Sequence, residues 1–503
     1  MTYDIAILGW WYGRNYGSVL TYYGLNRALG KLGYTVLMVH ESLGYNGWRV
    51  RWPDTILPME FARRVGYNHT AQMHYTELHR LNAEARAFMV GSDQLWNPLI
   101  GRVGDDLFLD FVAEDRMRLA YATSFGNRHT GKFSPDFIAR HRVNLARFDA
   151  ISVREDYARD IARSIFGVPA SLVVDPVFLL PRADYDSLAD QATTPAPEGK
   201  YLAVFFLDPD EDKRRTALAV ARQLGLDRIV VIPNPEDGRE PAQALFSGPE
   251  FALTAADTPE DFLNTYRNAA YVLTDSFHGT AFAAIFSRPF SSIYNEVRGA
   301  DRFHNLLNTL GFGDSRRIWA TDTAEDLAGR RTVTTDIDFT IADQRIREGR
   351  DTSLAWLEQA LAPLRAQRLP LHFAANTPDW QIHAASPAVR LELAEDGAKR
   401  GSHVWCDLDR VPQPGERCQI VLDWALRSTA PAINIHLRQP ETGHFRVIGT
   451  IDTRNRPPAT RRTDVVEAVV PEAGLSQLML GALHFTGPGA GADIFSLSVR
   501  YKL

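Results

Sequence analysis

Short apolar runs alternate with helical periods over about the first 180 residues. Ile5–Leu8 reads as a buried strand, followed by a Gly-rich turn and a helix from about Ser18 to Lys31. In that helix Leu25, Ala28, Leu29 and Leu32 recur at i, i+3, i+4 and i+7, and Gly33 marks the stop. Val36–Val39, Phe88–Val90, Leu119–Ala122, Ala150–Val153 and Leu172–Val174 follow as further strands at βαβ spacing. Runs that are apolar on both faces predict a parallel sheet covered by helices.

A Pro- and Ala-rich break, Thr193 to Gly199, reads as a linker, after which the same pattern restarts. Tyr201–Leu207, Ile229–Ile232, Ala270–Leu273 and Phe290–Tyr294 are expected strands. Glu211–Leu224, Glu260–Asn268 and Thr280–Ser287 are the helices between them, and the helical stretch Ile341–Leu364 is expected to close this half. Past Pro370 the period changes to short alternating segments between Pro/Gly turns: Val389–Leu393, Ile420–Leu426, Ile433–Leu437, Val465–Val470, Gln477–Phe485 and Ile494–Tyr501. The expected fold is therefore α/β, with two Rossmann-like domains at 1–192 and 193–369 around a cleft, then an all-β sandwich or jelly roll at 370–503. Trp380, Trp405 and Trp424 in that tail offer faces for sugar rings, but tryptophans in a sandwich are more often core.

Composition narrows the class. The 503 residues are 45% hydrophobic and 23% charged, which is ordinary for a globular enzyme and allows several cores. A net charge of -6, with no Lys/Arg-rich run, argues against a nucleic-acid partner. The two cysteines, Cys406 and Cys418, lack the spacing of a zinc site, no metal-ligand cluster appears, and a reduced, cytoplasmic chain is expected. The start at Met1 lacks signal-peptide character and no run of about 18 apolar residues occurs, which leaves only peripheral membrane association open. Oligomeric state is not legible.

Four constellations carry chemistry. Gly13-Arg14-Asn15-Tyr16-Gly17-Ser18 lies between the first strand and first helix, where opened backbone amides bind anionic or polar groups or simply make a tight turn. Gly91-Ser92-Asp93-Gln94-Leu95-Trp96-Asn97-Pro98 follows a strand, so it falls where α/β sheets hold ligands. There Asp93 offers a base, while Gln94 and Asn97 offer sugar-type hydrogen bonds; Asp93 as a helix cap is the bland alternative. Ser152-Val153-Arg154-Glu155 ends another strand, and Arg154 suits either a bidentate anion clamp or a surface ion pair. Thr274-Asp275-Ser276-Phe277-His278-Gly279-Thr280-Ala281 joins a strand to an Ala-rich helix, and His278 is expected on a turn exposed to the cleft. Arg298 and Arg302 fall just downstream and complete a candidate cationic ring.

In order, Asn15-Tyr16-Gly17, Gly91 to Asn97, Ser152 to Glu155, Asp175-Pro176 and Asp275 to Thr280 resemble the polysaccharide pyruvyltransferase family over roughly residues 1 to 320. The resemblance implies a glycosyltransferase-B-like pair of domains and phosphoenolpyruvate as donor. It also implies a cell-surface saccharide, or its lipid-linked precursor, as acceptor. By the same resemblance His278 contacts the donor, joined by Arg154 and a basic residue after the next strand, where Arg298 and Arg302 stand in place of a common Lys. The expected site is then His278 and Asp93 for catalysis, with Arg154, Arg298, Arg302, Ser276, Gly279 and Thr280 toward the donor. Asn15, Tyr16, Gln94, Trp96 and Asn97 are expected toward the acceptor. The reaction needs an acid for the methylene carbon, a base for the sugar hydroxyl, fixed cations for carboxylate and phosphate, and no added cofactor. His278 serves as acid or anion clamp, Asp93 as base. Two other classes fit the same chain. A nucleotide-sugar glycosyltransferase would need a ribose-binding carboxylate, for which Asp257 and Glu260 are the nearby candidates; a non-catalytic saccharide-binding protein would rest on the tail.

Overall fold

A computed structural model describes residues 3–44, 50–100, 103–126, 128–255, 257–294, 300–328 and 332–366. Beyond these it describes 374–375, 380–385, 388–393, 402–408, 411–426, 432–442, 444–452, 461–482 and 491–502. Arg298 lies outside the described residues.

The first parallel sheet is built from β1 (Tyr3–Leu8), β2 (Val36–Met38), β3 (Asn68–His69), β4 (Ala85–Val90), β5 (Met117–Thr123), β6 (Ala150–Val153) and β7 (Ser171–Leu172). Its order is β3-β2-β1-β4-β5-β6-β7. The second sheet comprises β8 (Leu202–Phe205), β9 (Ile229–Ile232), β10 (Phe251–Leu253), β11 (Tyr271–Thr274), β12 (Phe290–Ile293) and β13 (Arg317–Ile318), in the order β10-β9-β8-β11-β12-β13. Both are doubly wound, and each reverses direction beside its first strand, where such sheets open a crevice at the carboxyl ends. Central strands are buried throughout, β8, β9 and β11 at every position. That is why they read as continuous apolar runs. The strands that periodicity passed over, β3, β10 and β13, are two or three residues long, too short to show any period.

One apolar core runs through both halves: Tyr16 of the first helix (Tyr16–Lys31) stacks on Phe262 at 4.8 Å and leans on Phe205. The helix Thr340–Ala360, expected to close the second half, also crosses back to the first. Its Ser353 Oγ accepts from the Val174 amide at 3.0 Å, Trp356 tilts against Tyr121, and Gly349 sits so close to Val174 that a Cβ there would come within 2.6 Å.

Among the described residues from 374 on, every strand pairing is antiparallel, in two five-stranded sheets. In the strand Arg417–Leu426 Cys418, Ile420, Leu422 and Trp424, which fall on one face at every second position, are buried. Trp424 is core, its indole N–H donating to Asp464; the side chains of Trp380 and Trp405 lie outside those described. Among the described residues no helix is long and apolar enough to cross a membrane.

Candidate active site

The loops after β4, β6, β7 and β11 converge on one buried cation. Arg154, which ends β6, donates Nε to Glu155 at 2.9 Å, Nη1 to Ser92 at 3.1 Å and to Asp175 at 2.5 Å, and Nη2 to Asp93 at 3.3 Å. A guanidinium has five N–H directions, so four are already committed. The role expected for Arg154, two parallel bonds to a ligand anion, requires one partner to give way. Asp93 is the partner placed to do so. It is the least buried of the three carboxylates, and its backbone is held at φ 95°, a left-handed conformation costly for a residue with a Cβ.

Arg302 is on the far side, its Nη1 3.9 Å from the same Asp93 oxygen. Both guanidinium groups lie near the Phe277 ring, Arg154 at 4.9 Å and Arg302 at 5.9 Å from its centroid. Burial and the neighbouring Arg154 charge ease Arg302 below its ordinary pKa. Burial works against the Arg154 charge as well, but Glu155, Asp175 and Asp93 outweigh it and hold the proton more tightly than usual. Glu155 is raised, because burial outweighs the help of Arg154. For Asp175 burial loses: the His278 ring and Arg154 keep its carboxyl well below the usual carboxylate range.

His278 is not on an exposed turn. The helix starts at Phe277, earlier than periodicity implied, with Ser276 as N-cap accepting from the Gly279 amide at 3.2 Å. That puts His278 in the first turn, 8% exposed and pressed against the opposite half of the chain. Its Nε2 is 2.8 Å from Thr21 Oγ1 and 3.6 Å from Asp175 Oδ2. Gly17 makes this approach feasible: a Cβ there would stand 2.3 Å from His278 Nδ1. The Asn-Tyr-Gly motif thus supplies a bare helix surface for a histidine from the other half.

The remaining expected residues support this centre more than they line it. Thr280 Oγ1 bonds the Ser276 carbonyl and Ser292, and Gly279 leaves room for Thr274 and the Tyr266 hydroxyl. Asn15 caps the first helix through Ser18 N and donates to Glu236 across the halves at 2.9 Å. Gln94 and Asn97 bond each other at 2.9 Å, under Gly126. Tyr16 and Trp96, expected toward the acceptor, are fully buried; Trp96 stacks on Phe108 and donates Nε1 to Leu107. Both rings are too large to leave exposed when an apolar layer lies beneath them. Asp175, Thr21, Ser92 and Glu155 were not singled out as site residues, although Asp175 stands between an expected strand and a proline, a position that could have marked it. Asp257 and Glu260, the carboxylates a ribose site would need, are occupied by Arg239 at 2.5 Å and by both forks of Arg64 at 2.9 and 3.0 Å.

Two doubly wound sheets, with charged groups from both meeting in the seam between them, define a two-half α/β enzyme. A family model for polysaccharide pyruvyl transferase matches residues 15–296, and the chain belongs to that family, a family of transferases acting on polysaccharide. No curated protein matches the chain. Among solved structures it is similar to UDP-GlcNAc 2-epimerase from Methanocaldococcus jannaschii, at 14% identity and TM-score 0.43, covering 69% of this chain and 98% of that one. It is also similar to a family 29 carbohydrate binding module in complex with cellulohexaose, at 12% identity and TM-score 0.20, covering 27% and 83%. A further similarity is to a CBM4 structure at 11% identity and TM-score 0.22, covering 26% and 94%.

Proposed function

We propose that the enzyme transfers pyruvate from phosphoenolpyruvate to two hydroxyls of one sugar in a surface polysaccharide or its precursor, forming a cyclic ketal. The observation that carries this reading is the pair of buried guanidinium groups sharing Asp93, with His278 brought to them by Asp175. The Asp93 carboxylate occupies the place of a ligand anion. A donor carboxylate or phosphate displaces it onto the acceptor, converting a counter-ion into a base. His278 gives its proton to the methylene carbon, leaving an oxocarbenium-like C2. The first sugar hydroxyl adds to C2 and loses its proton to Asp93. The C–O bond to phosphate breaks with Arg154 and Arg302 taking up the leaving charge, and the second hydroxyl attacks C2 and gives its proton to the His278 ring. Atoms balance as ketal plus inorganic phosphate.

The two halves act as a glycosyltransferase-B-like pair, the first toward the acceptor and the second toward the donor, and the tail is a β-sandwich that positions saccharide. The commitment of Asp257 and Glu260 to arginines favours this over a nucleotide-sugar transferase. The test is phosphate release from phosphoenolpyruvate with saccharides of the host's surface polymer, beside a panel of sugar nucleotides. His278→Ala should lower turnover by about two to four orders of magnitude. Near-normal turnover in that variant, or turnover only with sugar nucleotides, overturns the reading.

A further inference from the structure

The carboxyl edge of the second sheet continues past the catalytic loops to an exposed tryptophan. Strands β11, β12 and β13 are parallel, and Thr274, Ser292 and Arg317 lie in one row across them. Neighbouring strands are about 4.8 Å apart, so β13 stands about 10 Å from the strand that leads into His278. Trp319 follows β13 at the same edge of the sheet. Packing contacts tie it back to the site. Phe303, the residue after Arg302, stacks on Tyr294 at 5.4 Å, and the Arg317 guanidinium lies 4.1 Å from the Tyr294 ring centre and 3.8 Å from that of Trp319. The indole is therefore at a distance from the Asp93–Arg302 pair that a few linked sugars span.

Trp319 is 43% exposed, although folding covers most of the surface of an average tryptophan. The ring is held in place all the same. Arg317 fills one face, the Trp319 amide donates to Asp322 Oδ2 at 2.7 Å, and the Asp322 amide donates back to the Trp319 carbonyl at 3.1 Å. The exposed area is thus the opposite face and the ring edge. An aromatic ring fixed before its ligand arrives gives contact area at little cost in entropy. A single ring between an arginine and an aspartate falls well short of the roughly 300–600 Å² of contiguous apolar surface that marks a protein or membrane contact. It matches the face of one pyranose, whose C–H groups pack on an aromatic ring while its hydroxyls stay in water. A transferase acting on polysaccharide meets such a ligand at this edge, as the acceptor chain leading away from the reacting sugar.

We propose that Trp319 is an acceptor subsite: it stacks on a sugar a few units along the chain from the one that is modified, so that the enzyme holds an oligosaccharide more tightly than a single sugar. The proposal takes its ligand class from the pyruvyl-transfer reading, but it is tested by binding alone. The full chain is titrated by calorimetry, without donor, with the monosaccharides and the multi-repeat oligosaccharides released from the host's surface polymer by partial hydrolysis, after mild acid has removed any ketals. The wild type should bind the oligosaccharides more tightly than the monosaccharides. Trp319→Ala should weaken oligosaccharide binding about three- to tenfold, the worth of one stacked ring, and monosaccharide binding by less than about twofold. Trp319→Phe, which keeps a ring, should recover part of the loss. Saccharide held by the tail contributes equally to all three proteins and drops out of the comparison. A wild type with no preference for the longer chains overturns the proposal, and so does a Trp319→Ala protein that keeps their full affinity or loses monosaccharides in equal measure. Should phosphoenolpyruvate yield no phosphate with any saccharide while the Trp319-dependent preference persists, the pyruvyl-transfer reading fails and the subsite stands; phosphate release with oligosaccharide affinity indifferent to Trp319 means the converse.

Discussion

Replacing Arg154 by Lys tests the centre of the site most directly. The charge is kept, but four bonds to four residues collapse onto one ammonium with three donors. Nε and the two terminal nitrogens face different partners, so a single Lys nitrogen can satisfy about two of them. Each charge-assisted bond lost is worth about 1.5–3 kcal/mol, which gives about 3–6 kcal/mol for two. For halves of this size that lowers Tm by roughly 6–24 °C. Turnover should fall at least about a hundredfold, because the fork that takes up the leaving charge is gone. The effect also depends on pH in a fixed direction. Asp175 is held below its unfolded pKa, so it stabilises the fold above the ordinary carboxylate range and ceases to do so as pH falls through the depressed value. The Tm gap between wild type and Arg154→Lys should therefore narrow below about pH 4. Scanning calorimetry from pH 3 to 8 and phosphate-release kinetics read both effects. A Lys variant within 2 °C and threefold of wild type at neutral pH, roughly the scatter expected of a surface change, would refute the reasoning.

Asp93→Asn removes the internal anion but keeps a side chain tolerant of positive φ; it should lower kcat by about a hundredfold or more while leaving phosphoenolpyruvate binding equal or tighter, measured by titration. A variant that loses donor affinity in proportion to rate would show Asp93 to be a donor ligand. Gly17→Ala forces a methyl group to 2.3 Å from the His278 ring, so activity should drop about tenfold or more with a destabilisation of about 1–3 kcal/mol, seen by thermal melts. His141, stacked on Phe108 with ring centroids 3.5 Å apart, is pushed down to about 4 by burial, with Asp105 opposing. Its unfolded form binds more protons between pH 6.5 and 4, so the fold loses up to about 3 kcal/mol on acidification through that window. Asp106, raised by burial to about 6, acts in the opposite sense, stabilising as pH falls from 6 toward 4. His141→Phe should therefore flatten the acid side of the stability curve, and an unchanged slope would show that the imidazole is solvated.

The sequence by itself determined the elements and their grouping. Strands buried on both faces are largely apolar, so β1, β8, β9 and β11 were legible as runs, and the change to short alternating segments past Pro370 marked the antiparallel tail. It also pointed to the strand-end loops whose charged groups meet in the fold, because ligand groups collect where strands end and helices begin. Only the tertiary structure decided which side chains of those loops meet. His278 and Thr21 are 257 residues apart and Arg154 and Ser92 are 62 apart, and no periodicity reports contacts between separate loops. Trp96 and Gln94 are two positions apart in one motif, yet one fills a core and the other braces a loop. Asp175 became central because it is buried between a guanidinium and an imidazole, where the lost hydration makes each charge depend on its neighbours. Burial and pairing are properties of the folded packing, and residue identity alone does not carry them.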